Sequence, residues 1–402
     1  MSYFNLYFNG LRSRKKFAIQ TDNLAVSKKW FFSFATDNEP SIIPFEIING
    51  WIVLNVKMKL GEEYLEHRFV FDTGATTSID FEEVKGLGLP IKKYFNVKDA
   101  NGISIQIPLV NLQKLKIGTL TFSNVGVLAQ NMDIIKCTGA SGVIGYNLLY
   151  GTKWRINFDE RKIYINRNVD FDRKQYDLIK IEDDGQKMLY INVDVDGLKV
   201  KSLVDTGFPN YFFLNMNLVP FLKPNEVVTR RISYLRGAHS SILDSVIVSK
   251  PIPNINVGKI ALNKDVHLIH KKETIIGLRF LSTFHEVIID LKDKSILLSK
   301  EQSKDFVPTE VRNISFAWQP SKLTISGLSI DDELWKMGLR LGDEVIKINN
   351  MLTSEFLDEC SYKKYANEKS IFKNNLKLTV LRNSEMKEFD VDKGFLVTLW
   401  DF

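Results

Sequence analysis

From about residue 42 the chain alternates. In IVLNVKMKL the apolar side chains Ile52, Leu54, Val56 and Met58 are separated by less apolar partners, the period-2 pattern of a strand with one buried face. The same texture returns in EHRFVFDTG, LQKLKIGTLTF, SNVGVLAQ and WRINFDERKIYIN, the last with a turn at Asp159-Glu160-Arg161. Many short strands with turn signals and little helix predict a β-sandwich or barrel. Near residue 188 the pattern restarts. MLYINVDVDGLKVKSLVDTG reads as a strand, a hairpin turn at Asp196-Gly197 and a second strand ending in Asp205.

The restart is a repeat. Asp72 and Asp205, each followed by Thr-Gly, are 133 residues apart. SGVIGYNLL and ETIIGLRFL align at Gly145 and Gly277, 132 apart, and NFDERKIYI aligns with IIDLKDKSILL at Asp159 and Asp290, 131 apart. Three landmarks at one offset predict a duplicated lobe, over roughly 42–168 and 175–300. After about residue 305 the style changes. KLTISGLSIDDELWKMGLRLGDEVIKINN reads as strand, short helix, Gly turn and strand; TSEFLDECSYKKYAN reads as an amphipathic helix, and NLKLTVLRN as a strand opening a hairpin. The expected organisation is an N-terminal extension over 1–41, a first lobe over 42–174, a second over 175–303 and a third domain over 304–402.

Length and composition agree with two or three packed domains: 402 residues, 44% apolar and 25% charged. A net charge of +6 is modest for this length and predicts no nucleic-acid surface. Arg12, Arg14, Lys15 and Lys16 read as a solvated face of the extension. No run is long enough for a membrane-spanning helix. The first residues, MSYFNLYFNGLRSRKKF, lack the pattern of a signal peptide, so the cytoplasm is the default expectation, with export requiring a signal outside this sequence. Cys137 and Cys360 are expected to be buried free thiols, since CxxC and Cys/His metal spacings are missing. His267 and His270 fall on opposite faces of a β segment, and no metal or cofactor is expected.

The candidate chemistry lies in the two acids. One Asp-Thr-Gly arises by chance roughly once in several thousand positions. Two, each after an apolar run and at the same place in a repeat, point to a paired function. Carboxylates brought together across a pseudo-twofold axis share one proton, because both cannot ionise at close range. One member then takes a proton from water while the other donates to a carbonyl. Gly74 and Gly207 allow a tight turn with N–H groups toward the acids. Thr73 and Thr206 are placed to bond across the lobes and fix the acids' separation.

VFDTGATTS and LVDTGFPNY resemble the active-site loops of aspartic proteases of the retropepsin and pepsin type. VIGYNLL and TIIGLRFL resemble the later apolar-apolar-Gly element that supports each acid in that family. The resemblance covers about 250 residues and implies a mainly β fold. It would consist of two pseudo-twofold-related acid-protease β-barrel lobes in one monomeric chain, acting on an extended peptide or protein substrate. It also implies flap hairpins. The candidate tips are KDANGISI, where Asn101-Gly102 reads as a two-residue turn, and YLRGAHSSI around Arg236-Gly237, with His239 nearby. One departure stands out. Phe208-Pro209 follows the second Asp-Thr-Gly where the family has a small residue, whereas Ala75 follows the first. A bulky ring there narrows the cleft or displaces a hydrogen bond to the acid. That leaves an active site with unusual selectivity or a catalytically impaired peptide-binding scaffold.

WKMGLRLGDEVIKIN resembles the core of PDZ domains. It implies a C-terminal PDZ-like α+β domain that takes a peptide as an added strand, between ISFAW at 314–318 and the helix within SEFLDECSYKKYAN. The Gly-Leu-Gly-Phe-like carboxylate loop of that family has no counterpart; AWQPSK is what this chain offers.

Overall fold

The computed structural model describes residues 33–35, 40–60, 62–99, 102–166, 172–182, 188–218, 227–237, 239–249, 254–262, 267–270, 273–304, 310–319, 322–330 and 332–399. Asn101 lies outside these, and the side chains of Arg236, His267 and His270 are not described. Most of the predicted extension lies outside them too; Ser33–Ala35 pairs with Leu120–Gln130.

The architecture is mainly β. In the first half, strands close on themselves. Trp51–Leu60 pairs with Glu63–Asp72, which runs parallel to Gly142–Gly145. That short strand pairs with Ser78–Asp80, which is parallel to Leu120–Gln130. Leu120–Gln130 pairs with Ser104–Ile117, which returns to Trp51–Leu60 through Lys57↔Lys116 and Met58↔Leu115. Closure leaves few bare edges and gives the alternating apolar residues one interior. Ile52, Leu54, Val56 and Met58 are all buried there.

The same pairings recur in the second half. Tyr190–Val195 pairs with Leu198–Asp205 through the Asp196-Gly197 hairpin. Leu198–Asp205 is parallel to Thr274–Gly277, which pairs with Phe212–Asn215. Both turn residues have positive φ, 51° and 84°, as a two-residue hairpin with matched twist requires. The turn after Asn157 also holds, with Arg161 at φ 53°.

A six-stranded antiparallel sheet joins the halves. Its order is Ser41–Ile48, Lys162–Asn166, Lys153–Asn157, Glu286–Asp290, Ser295–Ser299 and Tyr176–Glu182. The central pair, Trp154↔Ile289, crosses between the repeats. Trp154 is fully buried and stacks on Phe71, the residue before Asp72, at 5.3 Å. Polar groups are satisfied across the same seam. Glu286 accepts from Asn157 Nδ2 at 2.8 Å and from Tyr176 Oη at 2.7 Å.

The C-terminal segment has its own hydrophobic cluster, including Ile314, Leu323, Leu328, Leu339, Val345 and Leu378. Strand Lys322–Ile330, helix Glu333–Lys336 and strand Glu344–Ile348 follow the predicted order. The predicted helix over TSEFLDECSYKKYAN is shorter than expected. It runs Glu359–Glu368 and starts where Asp358 accepts from Ser361 N at 2.8 Å, a cap that ends the preceding extended backbone.

Two attachments hold this segment against the rest. Strand Lys322–Ile330 pairs with Val227–Arg236 of the second half, from Arg230↔Ile330 to Ser233↔Gly327. On the other side Cys137 and Cys360 form a disulfide with Cα atoms 5.0 Å apart, and Asn367 Nδ2 donates to Asn49 Oδ1 at 3.2 Å. The expected free thiols are therefore corrected. Tertiary packing sets the docked helix beside the turn at Lys136–Thr138, 223 residues earlier, and a spacing rule built for local pairs does not see this.

Reduction is expected to destabilise the chain by about 2–4 kcal/mol, since the bridge restricts a long loop in the unfolded state. The measurement is calorimetric Tm with and without a phosphine reductant, with Cys137→Ser/Cys360→Ser as control. An unchanged Tm would remove the bridge from the stability of the fold.

Candidate active site

Each acid is the last residue of a strand. Glu63–Asp72 becomes fully buried over its final four residues, as does Leu198–Asp205. Asp72 sits opposite Gly145 and Asp205 opposite Gly277 in the parallel pairings, so the two repeat landmarks meet in space. Immediately beyond, the chain turns tightly. Gly74 N donates to Asp72 Oδ1 and Gly207 N to Asp205 Oδ1, both at 2.8 Å.

The glycines also report where the other acid is. A Cβ at Gly74 would lie 2.4–2.6 Å from the Asp205 carboxyl, and one at Gly207 would lie 2.1–2.5 Å from the Asp72 carboxyl. Any side chain at either position expels the opposing acid. The two carboxyls thus face each other across the seam, close enough to hydrogen-bond directly.

Thr73 and Thr206 lock this arrangement. Thr73 Oγ1 donates to Val204 O at 2.8 Å and accepts from Thr206 N at 3.0 Å. Thr206 Oγ1 donates to Phe71 O and accepts from Thr73 N, both at 3.0 Å. Each hydroxyl uses donor and acceptor capacity on the backbone of the opposite half. All four bonds are buried, so loss of one partner strands a polar group at a cost of about 1–3 kcal/mol.

Asp72 and Asp205 have no solvent exposure. Burial pushes the Asp72 carboxyl well above its ordinary 3.8, the charge of Asp205 and the bond to it add to the rise, and the N–H groups of Gly74 and Gly207 oppose it. The two acids therefore hold one proton between them. The stability contributed by that protonated state is complete below the unfolded pKa of about 4 and is lost as pH rises through the raised folded value. Asp72→Asn does not titrate, so its Tm is expected to gain on wild type between pH 4 and pH 8. A difference constant over that range would contradict the raised pKa.

The two hairpin tips meet. The first joins Lys93–Lys98 to Ser104–Ile117, and the expected turn at Asn101-Gly102 lies partly outside the described residues, which include Gly102 but not Asn101. Asp99 O accepts from Gly102 N at 2.8 Å, and Gly102 has φ 80°. In the second, Gly237 is buried and donates to Ser240 O at 2.7 Å; Arg236 pairs through its backbone with Ser241. Asp99, buried and absent from the expected site, joins the tips. Its Oδ1 accepts from Ile103 N at 3.0 Å, and its Oδ2 from Ser240 Oγ at 2.5 Å and His239 N at 3.3 Å. Its local signal was only that of an acid at a turn; the partners are about 140 residues away. Burial lowers the pKa of the His239 ring, opposed by the charge of Asp99. Asp99→Ala is expected to raise amide exchange at 102–103 and 239–240 by about tenfold, the effect of losing roughly 1.4 kcal/mol of closure. Unchanged exchange at both tips would show that Asp99 does not hold them.

Phe208 does not enter a cleft between the acids. It is fully buried against Phe213, with ring centroids 4.6 Å apart, and shares a cluster with Val246 and Ile275. Ala75 is likewise buried, against Trp51, Val70 and Val143. The difference after the two Asp-Thr-Gly motifs is thus one of core volume. Pro209 reaches the other half, where a Cβ at Gly50 would lie 2.8 Å from its own Cβ.

Comparison with known proteins places part of this site. Residues 56–148 match a family model described as aspartyl protease, a span that holds Asp72, Thr73, Gly74 and Gly145. No curated protein matches the chain. Among solved structures, the aspartic proteinase from Irpex lacteus is 13% identical with a TM-score of 0.38, over 67% of this chain and 98% of its own. A retropepsin-like aspartic protease from Rickettsia conorii is 20% identical with a TM-score of 0.23, over 33% and 93%. Basic 7S globulin from soybean is 10% identical with a TM-score of 0.37, over 68% and 100%. Residues 56–148 are thus similar to aspartyl proteases, while the segment holding Asp205 lies beyond the match.

Proposed function

We propose that the chain is an aspartic endopeptidase. It is read as two acid-protease lobes over 42–174 and 175–303, followed by a PDZ-like domain over 304–402. The observation that carries this reading is the reciprocal threonine lock, which holds two buried carboxyls face to face. The two carboxyls share one proton, written here on Asp72. With an extended peptide bound, Asp205 accepts a proton from water as the water oxygen attacks the scissile carbonyl carbon. Asp72 donates its proton to the carbonyl oxygen. Collapse of the tetrahedral intermediate returns a proton to the leaving nitrogen and breaks the C–N bond. Gly74 and Gly207 N–H groups hold the carboxyl oxygens during both transfers. The hairpins around Gly102 and Gly237 serve as flaps that part to admit substrate. Asn101 and Arg236 belong to the same tips by position in the sequence.

The PDZ-like reading is supported by the separate hydrophobic cluster and by strand Ile314–Gln319, which pairs on one side only among the described residues. Such an edge takes an added strand.

A second reading, a peptide-binding protein that does not hydrolyse, is favoured by the complete burial of both acids. A mixed fluorogenic peptide pool assayed from pH 3 to pH 8 separates the two. The endopeptidase reading expects cleavage that falls as pH rises through the raised value of the dyad, and losses of about 10⁴-fold or more in Asp72→Asn and in Asp205→Asn. Cleavage that survives in either variant rejects the shared dyad. Binding with no turnover at any pH selects the second reading.

A further inference from the structure

Two strands far apart in the chain each have one open edge among the described residues. Lys93–Lys98 of the first hairpin pairs only with Ser104–Ile117. Glu385–Val391 of the C-terminal segment pairs only with Leu376–Arg382. Alternation fixes what each edge offers. Asp99 N donates to Ile103 O, continuing the register of Lys98↔Ser104, so every second residue back along the strand bonds within the hairpin. The peptide groups of Tyr94, Asn96 and Lys98 then face outward, and Pro108, which has no N–H, stands opposite Tyr94 in keeping with this. On the other edge Asn383-Ser384, at φ 50° and 66°, forms a two-residue turn that makes Arg382 and Glu385 a bonded pair. Met386, Glu388 and Asp390 therefore face outward there.

The edges carry opposite charge. Lys92, Lys93 and Lys98 lie along the first, and among the described residues none of them pairs with a carboxylate; Lys93 rests over the Phe95 ring at 4.3 Å. Glu385, Glu388, Asp390 and Asp392 lie along the second. Lys387 reaches Glu385 at 3.7 Å and Lys377 reaches Asp390 at 3.5 Å, while Glu388 is exposed with no cation beside it among the described residues. The chain also supplies a precedent. In the second hairpin the corresponding strand, Val227–Arg236, has its outer edge filled by Lys322–Ile330 of the C-terminal segment. The first hairpin has the same kind of edge and nothing on it among the described residues.

An open edge is a template for another strand, and charge decides which strand it accepts. With the two edges antiparallel and Asn96 opposite Glu388, the outward peptide groups of both face each other. Phe95 then meets Phe389, Tyr94 meets Asp390 and Lys92 meets Asp392, and no like charges stand opposite along Lys93–Lys98. Either edge laid against its own copy gathers like charges instead. We infer that a second copy of this chain docks on the first hairpin, its strand Glu385–Val391 adding to the edge of Lys93–Lys98. The contact joins unlike surfaces, so it runs head to tail and either closes into a ring or extends. Docking holds the first hairpin along its edge, as the C-terminal segment holds the second. Each copy keeps both acids, so the inference stands whether or not the protein hydrolyses peptides.

Sedimentation velocity of the whole chain, from about 1 μM to about 300 μM, reads the contact; one added strand is smaller than a standard interface, so association is weak and reversible. The weight-average mass is expected to rise at least about 1.5-fold over that range at low salt and to fall back in about 0.5 M salt. Amide exchange at Tyr94, Asn96 and Lys98, and at Met386, Glu388 and Asp390, is expected to slow at least about threefold at the upper concentration, because those N–H groups gain partners. Lys92→Glu/Lys98→Glu and Glu388→Lys/Asp390→Lys are each expected to weaken association at least about tenfold. An equimolar mixture of the two variants is expected to associate as the parent does, since the acidic hairpin edge of one meets the basic strand of the other. Should either variant fold poorly, amide protection in the parent chain carries the test. A parent chain that stays monomeric at the upper concentration overturns the proposal. So does association that survives in either variant, that mixing does not restore, or that leaves the named amides unprotected. None of these results bears on the dyad, which hydrolysis tests separately.

Discussion

Two threonine hydroxyls carry the middle of this molecule. Thr73 and Thr206 each reach into the opposite half, where each gives its proton to a carbonyl and receives an amide proton. Side chains that answer backbone groups across a seam leave little freedom for the strands that end in Asp72 and Asp205. Two acids facing each other would otherwise repel and turn outward to water. The geometric lock and the electrostatic tension it contains are thus one arrangement. Trp154 supports it from behind by stacking on Phe71, whose carbonyl is one of the locked acceptors.

The halves repeat their pairings but differ in what surrounds them. Among the described residues, strand Lys93–Lys98 of the first hairpin pairs only with its own partner, whereas the corresponding strand of the second hairpin continues into the sheet of the C-terminal segment. The tips are joined through Asp99. The second hairpin is therefore held along its length, and the first chiefly at its tip. Any parting of the two tips falls first on the first hairpin. The C-terminal segment also grips the first half through Cys137–Cys360 and Asn367–Asn49, so it spans the seam from outside as the threonines span it from inside.

Much of this was legible along the chain. Alternation at Ile52, Leu54, Val56 and Met58 identified a strand because a pleated backbone has a period of two. The constant offset between Asp72 and Asp205 foretold that equivalent residues would meet. What escaped was set by contacts between distant segments. Nothing near Cys137 names Cys360, since bridging depends on how a helix docks. Nothing near Asp99 names Ser240, since the bond crosses between hairpins. Phe208 looked like an intruder when judged by size alone. Its direction is decided by the turn after Gly207, which aims the ring at Phe213 and away from the acids. The pairing of Arg230–Ser233 with Gly327–Ile330 was equally hidden, because strand edges carry no address in their own residues.

The cross-link between Cys137 and Cys360 makes a covalent ring of the chain between them, with Asp205 inside it and Asp72 in the arm that precedes it. One backbone cut within that ring divides the polypeptide without separating the pieces. Both acids then stay in a single molecule until the sulfur bond is opened. Such a cut adds only the mass of one water and shows as two fragments only after reduction.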